Sequence, residues 1–141
     1  MWTCSFCNRS FNLQNQHHYC GDETVAHFLR GKSETALILF DQLISSFEEI
    51  GPIKLHATKS MIVISSNKGF AYITQFGKNF MDVVMPFKEL YEDNLCFRKM
   101  VLVPGSDDYN HHLRLMHTND VNEEVIYYLK KAYANGKNLF P

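Results

Sequence analysis

An α+β fold, with an antiparallel sheet of about six strands and an N-terminal and a C-terminal helix on one of its faces, follows from three observations in this sequence. Between Ile53 and His117 apolar and polar residues alternate with period two, interrupted by turn residues, as antiparallel strands require. The flanking stretches instead repeat apolar residues at three- and four-residue spacing, the period of helices lying on a core. Seven Tyr and eleven Phe among 141 residues supply the aromatic content that pleated, half-buried surfaces favour.

Ahead of the fold stands Cys4-Ser-Phe-Cys7, followed by His17, His18 and Cys20. A Cys-x-x-Cys knuckle brings two thiolates to one ion, and a later His and Cys close a tetrahedron of the donors zinc prefers. With four protein ligands no position is left for water or substrate, so the site reads as a structural staple. A disulfide or redox Cys-x-x-Cys is the competing reading, but a thioredoxin-like motif belongs in a βαβ context and this one starts four residues into the chain. Spacing allows either His17 or His18. Phe6 and Phe11 are the apolar residues of a module too small to fold without its metal.

Asp22 and Glu23 open a short helix that Gly31 closes. Ser33 caps a longer one, in which Ala36, Leu37, Phe40, Leu43, Ile44, Phe47 and Ile50 form one apolar face before Gly51-Pro52. Six strands follow: Ile53 to Ala57, Met61 to Ser65, Gly69 to Gln75, Phe80 to Met85, Arg98 to Val103 and His111 to His117. The stretch from Pro86 to Phe97 is long enough for a helical turn or a lid. Asp120, with Glu123 three residues on, has the pattern of a capping box for a last helix, striped by Val121, Val125, Tyr128, Leu129, Ala132 and Tyr133 and ended by Asn135-Gly136. The expected organisation is a zinc module with connector helix over 1–32, an α+β domain over 33–136 and a flexible tail over 137–141.

Hydrophobic residues make up 45% of the chain and charged residues 21%, values that support a buried core. A formal net charge of −1 argues against affinity built on blanket neutralisation of phosphates. Three of four cysteines fall in the metal motif and Cys96 has no evident partner, which suits a reducing compartment. The absence of a long apolar run and of a signal pattern leads to the expectation of a cytoplasmic protein with no membrane partner.

The residues Trp2-x-Cys4-x-x-Cys7-x-Arg9-x-Phe11, Asn15-Gln16-x-His18-x-Cys20-Gly21, Gly51-Pro52, Thr58-Lys59, Phe70-Ala71, His112-x-Arg114-Leu115 and Ala132-Tyr133 give the chain a resemblance. It resembles, over nearly its whole length, small bacterial proteins carrying domain-of-unknown-function family 5655. The resemblance implies His18 as the ligand, giving Cys4, Cys7, His18 and Cys20. It also implies a nucleic-acid context, because relatives of the domain look like parts of larger proteins with nuclease-like or restriction-like modules.

Strand alternation points Lys54 and His56 away from the helices on the first strand, and His112, Arg114 and Met116 on the last. With Lys59 in a turn and Arg98 at a strand start, neighbouring strands would gather Lys59, Arg98, His112 and Arg114 as a cationic surface for phosphate or carboxylate. Phe70 and Tyr72 would add stacking platforms. No nucleophile with its base, carboxylate pair or Gly-rich phosphate loop is legible: Asp107-Asp108 fit a turn, and a dyad of Cys96 with His111 or His112 has no local motif. The expectation is a non-enzymatic, zinc-stabilised protein binding nucleic acid or a phosphorylated small molecule. A small enzyme on a nucleotide-like substrate would need a buried His with a perturbed pKa in a cleft, and an adaptor would expose Trp2 and Phe6.

Overall fold

The computed structural model describes residues 2–3, 10–11 and 24–137, so Cys4, Cys7, His18 and Cys20 lie outside the described residues. Near the N-terminus β1 (Trp2–Thr3) pairs antiparallel with β2 (Ser10–Phe11). The rest is an α+β fold of α1 (Thr24–Leu29), α2 (Glu34–Ile50), β3 (Lys54–Ala57), β4 (Ile62–Ser65), β5 (Gly69–Phe76), β6 (Met81–Phe87), β7 (Phe97–Leu102), β8 (Tyr109–Leu115) and α3 (Glu123–Lys137). The six later strands make one antiparallel sheet in the order β3-β4-β5-β6-β8-β7.

α2 forms as its spacing requires. Ser33 caps it by accepting from the Ala36 N–H at 3.1 Å, and donates its hydroxyl to the Lys78 carbonyl at 2.6 Å, tying the helix start to the β5–β6 turn. Ala36, Leu39, Phe40, Leu43, Ile44 and Phe47 are buried, while Glu48 and Glu49 stay in solvent. Each large apolar side chain on that face contributes about 2 kcal/mol relative to exposure. Facing it across the core are Ile62, Ile64, Ile73, Met81, Val83, Met85, Leu113 and Leu115, and α3 completes the layer with Val125, Tyr128, Leu129, Ala132 and Tyr133.

Four local expectations are corrected. α3 begins at Glu123, capped by Asn122, whose side-chain oxygen accepts from the Val125 N–H at 2.9 Å; Asp120 instead turns back to accept from the Met116 and His117 N–H groups. Gly136 lies inside α3 as a point of close approach, because a Cβ there would run into the Phe70 ring. β6 continues through Pro86 to Phe87; its ladder with β5 ends at Tyr72–Val84, so the N–H that proline lacks is not needed on that side. The segment after β6 forms no helical turn and is tied by side chains instead: Asn94 accepts from the Phe97 N–H, Glu124 from the Leu95 N–H, and His111 from the Tyr91 N–H. No helix among the described residues is long and apolar enough to cross a membrane.

Candidate anion-binding site on the sheet

Cross-strand pairing makes one continuous row on the face turned away from α2 and α3: His56, Val63, Tyr72, Val84, His112 and Lys99. Beside it Asp82 stands opposite Arg114. The topology separates the expected basic residues into two groups. Lys59 sits in the β3–β4 turn, where Thr58 accepts from the Ser60 and Met61 N–H groups, while Arg98, His112 and Arg114 belong to β7 and β8. Four strand spacings, about 19 Å, divide β3 from β8, so Lys59, Lys54 and His56 do not converge with the others. Phe70 leaves the row as well. The β4–β5 register shifts between Ile64 and Ser65, and Phe70 turns into the core, edge-on to Phe47 and Tyr133 at 5.2 and 5.6 Å. Tyr72 is the aromatic that remains on the face.

Arg114 is held. Its Nε and Nη2 donate to the two Asp82 carboxylate oxygens at 2.8 and 2.9 Å, and the guanidinium lies 3.8 Å from the Phe80 ring centre. Asp82 and Phe80 therefore neutralise and orient a cation that alternation alone offers to a ligand. Asp82 was open to the same reading, since it is a single carboxylate in an otherwise apolar strand, facing the same way as Arg114.

Arg98 and Lys99 are a different case. The β7–β8 register shifts between Phe97 and Lys99, leaving Arg98 as an extra residue in a bulge. Phe97 still points inward, against Phe87, His111 and Tyr128. Arg98 and Lys99 are both exposed, and the charges of both reach His112. Burial first, then Lys99 and Arg98, hold the His112 pKa below its ordinary 6.5, with Asp82 pulling the other way. Among the described residues neither Arg98 nor Lys99 has a carboxylate partner. Lys99 was missed because strict alternation places it on the face opposite Arg98, and no sequence signal marks the bulge.

His111 points the other way and is fully buried. Its Nδ1 donates to the Tyr109 carbonyl at 2.8 Å and its Nε2 accepts from the Tyr91 N–H at 3.3 Å, within rings of Phe87, Tyr91 and Phe97. Burial lowers its pKa, so it is the neutral imidazole of a packed core, with both nitrogens occupied. The Cys96 thiol is pushed up to about 12 by burial and by the Glu124 charge, which leaves it protonated and a poor nucleophile. No dyad joins Cys96 to His111. A groove of about 600 Å³ between the end of α3 and the β6–β7 loop carries Lys68, Lys88 and Lys131. Lys88 there pairs with Asp108 at 3.3 Å and the Lys131 amine lies over Tyr91 and Tyr127.

Taken together, these elements define a small α+β domain: a helix-backed antiparallel sheet with a basic cluster at one edge. Residues 25–136 match the family described as Domain of unknown function (DUF5655), and the chain belongs to that family. No curated protein and no solved structure matches it.

Proposed function

We propose that this is a non-enzymatic binding protein of the reducing cytoplasm, stabilised by zinc held on Cys4, Cys7, His18 and Cys20, that takes an anionic partner at Arg98, Lys99 and His112. The observation that carries the reading is a pair of exposed cations, without a carboxylate partner among the described residues, brought side by side by the β7 bulge next to a half-buried histidine whose charged form they disfavour. An arriving phosphate or carboxylate reverses that balance, so binding and protonation of His112 reinforce each other. Arg114 borders the site but stays with Asp82. The zinc assignment is supported by the donor set and its spacing, and by three of the four cysteines falling within the motif.

A short single-stranded oligothymidylate, with inorganic phosphate as competitor, is the probe. Binding is expected to weaken with salt and to tighten on acidification as His112 becomes protonated, with a raised His112 pKa on binding seen by NMR. Arg98→Ala/Lys99→Ala abolishes it and Lys59→Ala leaves it unchanged. Equal affinity in the double variant, or no response at His112, removes the basis of the proposal.

A further inference from the structure

The same edge of the sheet offers more than charge. Among the described residues β7 pairs only with β8, so along its outer side the backbone N–H and C=O groups meet no described strand, whereas β3 at the other edge has α1 packed against it. An open edge strand is a template for another extended chain. Around this one the apolar side chains are also bare: Val101 and Leu102 are 48% and 51% exposed, and Leu95, two residues before the strand, is 95% exposed.

We propose that β7 binds an acidic, extended peptide segment of a partner protein by adding it to the sheet as a seventh strand. This rests on the anionic-partner reading above and names the partner's chemistry. Backbone pairing supplies affinity, Arg98 and Lys99 select carboxylates on one face of the added strand, and Val101, Leu102 and Leu95 receive apolar side chains. Nucleic acid satisfies the two cations but brings no peptide groups to the strand edge. A second copy of the chain is disfavoured too: β7 reads Phe-Arg-Lys-Met-Val-Leu and contains no carboxylate, so self-pairing in any register gathers four cations on one seam without counter-charge.

The test uses full-length protein and the peptide acetyl-Glu-Val-Glu-Val-Glu-Val-amide, followed by backbone amide NMR. Saturable binding with shifts confined to β7 and β8 is expected, and N-methylation of alternate peptide residues on the pairing side weakens it about tenfold. Arg98→Glu/Lys99→Glu, a change on an exposed strand, switches preference to the Lys-Val counterpart of the peptide. Equal affinity of the N-methylated peptide would falsify strand addition. If oligothymidylate shifts His112 while the peptide leaves β7 untouched, the anion site stands and the strand-addition proposal falls. If neither binds, both fall.

Discussion

His111 shows what a single side chain decides. Alternation along β8 turns it inward with Leu113 and Leu115, and that much follows from residue parity. That both its nitrogens are occupied depends on the β6–β7 loop folding back over it, which local sequence does not encode. Its native pKa lies below the ordinary 6.5, as does that of His112, so below about pH 6.5 the unfolded chain takes up protons that the native state resists. Stability is therefore expected to decline as pH falls below about 6.5 toward the native values. Urea midpoints measured across this range check the sign, and His111→Gln should remove part of the slope while leaving the share of His112. A wild-type midpoint that stays flat on acidification would contradict the burial argument. At the same scale, the candidate site was half legible. Arg98, His112 and Arg114 could be named from alternation and charge, but the capture of Arg114 by Asp82 and Phe80 is a contact between strands.

At the scale of elements, periodicity located both long helices and all six strands to within a few residues at each end, because one face of each is apolar and the turns between them carry Gly, Asn, Ser or Pro. Irregularities escaped. Three register shifts, in β4–β5, β5–β6 and β7–β8, leave the composition of the strands unchanged, yet the first turns Phe70 inward and the last aligns Arg98 with Lys99. Gly136 tests how tightly α3 meets the Phe70 bend. Gly136→Ala gains about 1 kcal/mol of helix propensity but drives a methyl into Phe70, which is wedged between Phe47 and Tyr133, and to 2.8 Å from Ser66 Oγ. Overpacking of this kind costs about 1–3 kcal/mol and should win, lowering Tm by several degrees in a thermal melt. A Tm at or above wild type would show that the ring gives way.

The whole molecule has two unlike ends. The chain enters the sheet domain through α1 beside β3, while the basic cluster lies on β7, five strand spacings or about 24 Å away. For the zinc proposed on Cys4, Cys7, His18 and Cys20, Cys4→Ser/Cys7→Ser is predicted to lose stoichiometric metal by elemental analysis; zinc retained in that variant would mean other ligands. The strand order also dictates a sequence of events in time. β7 emerges from the ribosome before β8, and among the described residues its ladder is with β8 alone, the strand that joins it to β6. Arg98 and Lys99 therefore wait for β8 until residue 115 is available, and the β7 amides are expected to exchange before those of β5 and β6, which have ladders on both sides.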